Sequence, residues 1–271
     1  MILVELRKLL RRPRTWVVIA LIDALPTLVA ILLSLTELAP RPGTGPAFLS
    51  AVLSNGVLFP AAALAIVLPL FLPVSVAIVA GDSIAGEAQA GTLRYLLARP
   101  AGRTRLLVAK LVAVFVFVAL AVVVVTVTAY FVGTSLFGTG PLNGSVVSVS
   151  GAPLTPRDAV LRTLLAMAYV AFSMLGVAAM ALFLSTLTDS PLAAAMGALA
   201  FLVASSLLLT LDAAGAIRPY LPTRYWLAFV DLFRQPILWR DVLRGVGLQG
   251  VYVAVLLGAA WANFTTKDIK S

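Results

Sequence analysis

Apolar residues run in six long blocks along this chain: Thr15 to Thr36, Val57 to Ala80, Val108 to Phe131, Val160 to Leu184, Pro191 to Leu211 and Gly247 to Phe264. About 20 apolar residues at 1.5 Å rise cross a hydrocarbon core of about 30 Å. The pattern predicts an all-α, polytopic membrane protein with six transmembrane helices in a single domain. A barrel strand would alternate over about ten residues, and these blocks do not. Ahead of the first block, Ile2, Leu3, Leu6, Leu9 and Leu10 recur at helical spacing among Glu5, Arg7, Lys8, Arg11 and Arg12. That predicts an amphipathic helix within residues 1–14, lying on the membrane surface and set off from the first span by Pro13. The first span is read as retained, because its apolar run is too long for a signal peptide. Pro60, Pro69 and Pro73 predict a bend in the second span.

Composition narrows the chemistry. The 271 residues are 61% hydrophobic and 11% charged, with no Cys and no His, and the mean hydropathy is +1.06. Soluble domains are about a quarter charged. The absence of Cys and His leaves no thiolate nucleophile, no imidazole base and no common metal-ligand set. A nucleotide-binding loop, G-x-x-x-x-G-K-[ST], is also absent. No catalytic, metal or cofactor-binding residue is therefore assigned. The net charge of +9 does not suggest nucleic acid, because the basic residues flank the spans. Twelve of the 20 Lys and Arg fall on one side if both termini face the cytosol, the side that positive residues favour. The expectation is a multi-pass protein of the cytoplasmic membrane with both termini cytosolic. The stretch Asp212 to Val246 goes against this bias, with five Arg on the outer side.

Three connections carry the polar residues. The stretch 81–106, "GDSIAGEAQAGTLRYLLARPAGRTRL", has Gly81, Gly86 and Gly91, which allow bends or close backbone approach. Thr92 is placed to cap a short helix over Leu93 to Ala98, ended by Pro100, and Thr104 to cap the third span. Its Leu93, Tyr95 and Leu97 would stand outside the bilayer, as a docking surface or as a plain bent connector. The turn "STLTDS" precedes the fifth span, with Ser190 as cap and Pro191 at the first helical position. The stretch 212–246 mixes Tyr225, Trp226, Phe229, Phe233 and Trp239 with Arg and Asp. It suits an outer interfacial layer or a shallow re-entrant hairpin, with Thr223 as a helix cap.

The run "GDSIAGEAQAGTLRYLLARPAGRTRLLVAKL" resembles the first inner loop of type-two ATP-binding-cassette (ABC) exporter permeases. The matching residues are Glu87, Gly91, Thr92, Leu93, Pro100, Arg103, Lys110 and Leu111. Gln89 and Ala90 stand where the family has another charged residue. "LSTLTDSPLAAAMGAL" and "FTTKDI" extend the resemblance. It implies a transport subunit rather than an enzyme. Two copies would pair, and separate ATPase chains, holding ATP and Mg, would bind the inner loops. The ATPase-coupling residues it implies are Glu87, Gly91, Thr92, Leu93, Arg94, Tyr95 and Leu97.

Two features stand apart from that loop. Asp23 is the one acid placed within a span, where a charge costs ~2.5–3.5 kcal/mol, so it should face a polar partner or a wet cavity. It also keeps open an ion-coupled carrier that needs no ATPase. In the fifth span Ala193, Gly197, Ala200 and Ala204 share one face, the small-residue pattern that lets helices approach in lipid. That face could meet a second copy or another helix of the same chain.

Overall fold

The computed structural model describes residues 1–35, 56–92, 102–139 and 146–266. Eight α-helices are found there: α1 (Ile2–Arg11), α2 (Pro13–Leu35), α3 (Phe59–Val67), α4 (Phe71–Gln89), α5 (Arg103–Phe137), α6 (Pro156–Leu187), α7 (Pro191–Thr210) and α8 (Trp239–Thr266). Six of them, α2 and α4 to α8, are long and apolar enough to cross a membrane. The chain is an all-α, multi-pass membrane protein; among the described residues one two-stranded hairpin pairs Val146–Val147 with Pro153–Leu154.

The second span is broken rather than bent. Pro69 and Pro73 have no amide hydrogen to give a continuous helix. The chain turns at residues 68–70, and Pro60 and Pro73 each take a place in the first turn of a helix, where the donor is not needed. The helix after the break runs past Ala80 to Gln89, so Gly81 and Gly86 lie within it and make no bend. Gly91 does turn the chain, at φ +67°. Both the amide and the hydroxyl of Thr92 donate to the Glu87 carbonyl, closing α4 from behind.

Local signals hold at several ends. Pro13 opens α2 directly after α1, and the Thr15 hydroxyl and Trp16 indole donate to the Leu9 and Leu10 carbonyls at the end of α1. Ser190 caps α7 through the Ala193 amide, with Pro191 first in the helix. Two expected caps are used differently. Gly102, not Thr104, precedes α5, and the Thr104 hydroxyl accepts from the Trp261 indole. Thr223 caps no helix; its hydroxyl pairs with Ser205.

Helix α6 runs through the middle and packs against α4, α5, α7 and α8, while α2 and α3 lie on α5. The core is built of small and branched residues, including Ala77, Ala80, Val118, Ala121, Ala178 and Ala181, with Phe59, Phe117, Phe229 and Phe233 as its largest fully buried members. Helix α1, the end of α4, the start of α5, the α6–α7 turn and the end of α8 meet at one end of the bundle. The hairpin and residues 212–238 share the opposite end, joined by the Val149 amide to the Phe233 carbonyl.

Candidate functional site at the basic end of the bundle

At the α1 end, charged side chains knit three helices together. Lys110 of α5 is 3% exposed. Its ammonium lies between Glu5 of α1, at 3.0 Å, and Glu87 of α4, in a short contact. Lys8 of α1 reaches the same Glu87 oxygen at 3.0 Å. Nearer the surface, Arg12 and Arg14 both approach Oδ2 of Asp82, at 3.4 and 2.6 Å. A buried cation without partners is costly, so the Lys110 ammonium fixes α1 and α4 on α5.

A second junction lies beside it. The Ser185 hydroxyl of α6 donates to the Gly81 carbonyl and accepts from the Ala85 and Ile84 amides. Gly81 is where α4 meets α7. A Cβ there would stand 3.0 Å from the Ala195 amide nitrogen and 3.2 Å from the Pro191 carbonyl oxygen, so close approach, not bending, explains this glycine. The end of α8 is tied in by Asn263, which donates to the backbone and hydroxyl oxygens of Thr186, and by Arg103, which donates to the Phe264 and Thr265 carbonyls.

These contacts locate the residues singled out in the sequence. Glu87 is buried inside the chain as part of the ionic cluster. Gly91 and Thr92 are exposed at the turn that ends α4. Leu93, Arg94, Tyr95 and Leu97, with the short helix expected over Leu93 to Ala98, lie outside the described residues. Asp23 is partly buried in α2. Its Oδ1 has no hydrogen-bond partner, and the Thr128 side chain of α5 lies close enough to interact with it. Ala193, Gly197, Ala200 and Ala204 are exposed on the single chain, while Ala194, Ala195, Ala198 and Leu202 form the inward face of α7. Ser185 was not singled out by the sequence, since only its tertiary position makes it a junction.

At the far end, residues 212–238 form short 3₁₀ turns drawn in among the helices, with Trp226, Phe229, Leu232 and Phe233 buried. The stretch is latched at several depths. Buried Arg162 donates to the Arg234 carbonyl and Gln235 Oε1. Tyr169 donates to the Tyr225 carbonyl at 2.6 Å, and Gln249, ten residues into α8, to the Pro222 carbonyl at 2.7 Å. At 1.5 Å per residue Gln249 lies about 15 Å from the start of its helix. The stretch is thus packed between the helices rather than laid across their ends.

A family model described as a protein of unknown function, DUF2705, matches residues 27–243. The chain belongs to that family. The DUF2705 match takes in Asp82, Glu87, Lys110 and Ser185, and it leaves out Asp23 and the α1 residues that complete the ionic cluster. No curated protein matches the chain.

Proposed function

We propose that this DUF2705 protein is the permease subunit of an ABC exporter. It would form the path across the membrane while a separate ATPase chain binds and hydrolyses ATP. The observation that carries the reading is the double junction on α4. The connection after Gln89 and the turn at residues 188–190 both spring from helix ends fixed to one another through Ser185, Gly81 and the Glu87–Lys110 pair. A force applied to either connection is therefore delivered to the same rigid point, as a coupling element requires. Glu87 contributes by holding α4 in place, and the partner would touch the residues beyond Thr92. In this reading α1 and both inner connections face the cytosol, and residues 212–238 lie in the outer half of the membrane.

Co-expression with a candidate ATPase followed by pull-down tests it. The wild-type chain should retain the ATPase and Leu93→Asp should release it. Retention by neither, or equally by both, overturns the coupling role. A second reading, an ion-coupled carrier, is favoured by one observation, the unpaired Asp23 oxygen beside Thr128. Transport by the purified chain without nucleotide, lost in Asp23→Asn, would establish that reading instead.

A further inference from the structure

The ionic cluster borders a cleft of about 330 Å³ between α1, α2, α4 and α5. Its inner charges balance, with Lys8 and Lys110 facing Glu5 and Glu87. Its rim does not. Arg12 and Arg14 share the single carboxylate of Asp82, and their side chains are 43% and 60% exposed. One guanidinium charge at the rim is thus in excess among the described residues. Below the rim the walls turn apolar, with Val18 of α2, Ile78 of α4 and Val114 of α5. Val18 and Ile78 each lie four residues from a rim residue, about 6 Å deeper along their helices.

The position of α1 sets the depth of the cleft. Leu3, Val4 and Leu10 are exposed on it, at 81%, 67% and 43%. A helix that is charged on one face and apolar on the other lies in the headgroup layer. That puts the cleft at headgroup depth, with surplus positive charge at its mouth and apolar walls below.

We propose that this cleft holds one anionic phospholipid. Its phosphate would sit against Arg12 and Arg14, and its first acyl carbons against Val18, Ile78 and Val114. Arginine suits this role, because its planar fork donates paired hydrogen bonds to phosphate oxygens. The bound lipid would complete the charge balance around Asp82 and fill the gap between α1 and the spans. The inference does not depend on an ATPase partner.

The test uses the purified full chain in nanodiscs of mixed phosphatidylcholine and phosphatidylglycerol, with retained lipid identified by native mass spectrometry. The wild-type chain should keep one phosphatidylglycerol with a several-fold preference. Arg14→Gln removes the surplus charge yet leaves Asp82 paired with Arg12, and should abolish the preference. Arg11→Gln removes the same charge from the exposed side of α1 and should preserve it. Val18→Trp fills the cleft without altering charge and should expel the lipid. No preference in the wild-type chain overturns the site. Equal losses in Arg11→Gln and Arg14→Gln also overturn it, since they show diffuse attraction to an anionic surface. Lipid retained by a folded Val18→Trp variant would place the lipid elsewhere.

Discussion

The Ser185 hydroxyl stands 2.7 Å from the Gly81 carbonyl oxygen and 2.8 Å from the Ala85 amide nitrogen. One side chain of α6 thus grips both members of an i, i+4 pair in the backbone of α4. These two groups are natural helical partners and can bond to each other when the hydroxyl is gone. Ser185→Ala should therefore cost only about 1 kcal/mol, the net worth of an ordinary buried hydrogen bond. Thermal unfolding in detergent should show a small shift, and the permease proposal adds a larger deficit in ATPase-driven transport. A transport rate equal to wild type would remove Ser185 from the coupling argument.

Gly81→Ala makes the opposite demand on the same junction. Helix propensity alone favours alanine by up to ~1 kcal/mol. The new methyl would meet backbone atoms of α7 that cannot swing aside as a side chain can. Overpacking of this kind costs about 1–3 kcal/mol, so net destabilisation is expected. A raised unfolding temperature would show that α7 has room to move.

The Lys110 ammonium is the cation that Glu5 and Glu87 share. Lys110→Met should lower stability by about 3–5 kcal/mol, because the variant leaves carboxylates buried without their main partner. Lys110→Met combined with Glu87→Leu should recover much of that loss, since the stranded charge is removed as well. Thermal unfolding of the single and double variants measures the coupling directly. A single variant as stable as wild type would mean that the cluster contributes nothing to holding α1.

The spans were legible in the sequence because continuous apolar length is a local property, and lipid leaves a helix few alternatives. Pro69 and Pro73 marked the irregularity in the second span, though local rules did not distinguish a bend from a break. The side-chain partners were not legible. Glu87 and Lys110 are 23 residues apart, and only the antiparallel packing of α4 and α5 brings them together. Thr104 and Thr223 fit local capping rules, yet Trp261 and Ser205 offered tertiary partners instead. The aromatic stretch after α7 was open between two arrangements, and Tyr169 and Gln249, far apart in sequence, draw it inward.

Those two latches make a prediction of their own. Gln249→Leu removes the donor to the buried Pro222 carbonyl, and an unsatisfied buried acceptor costs about 1–3 kcal/mol. Tyr169→Phe removes one of two donors to the Tyr225 carbonyl, which keeps the Ala228 amide, and should cost less. Both changes should loosen the 212–238 stretch without unfolding the spans. The chain has no Cys, so a single cysteine at Ala228 can report its accessibility to a maleimide. Labelling should quicken in both variants. Unchanged labelling would mean that Trp226, Phe229 and Phe233 hold the stretch by packing alone.

The outward face of α7 bears on assembly. Ala193, Gly197, Ala200 and Ala204 are exposed although the neighbouring Ala194, Ala195 and Ala198 are fully packed. Leu184 of α6 touches the face beside Gly197, yet all four residues stay exposed to lipid or a second copy. Small side chains offer lipid little contact but let two backbones come close, where packing drives association. We expect a homodimer with this face at its seam. Single cysteines at Ala193, Gly197 and Ala200 should form disulfide-linked dimers in native membranes under mild oxidation. Val203 is 54% exposed on the flank of the same helix, and a cysteine there should crosslink poorly. Equal crosslinking at Val203 and Gly197 would indicate chance collision rather than a seam. Dimers in native mass spectrometry with no crosslink at any of the three sites would move the seam to another helix. A monomer in complex with a single ATPase chain would end the pairing altogether.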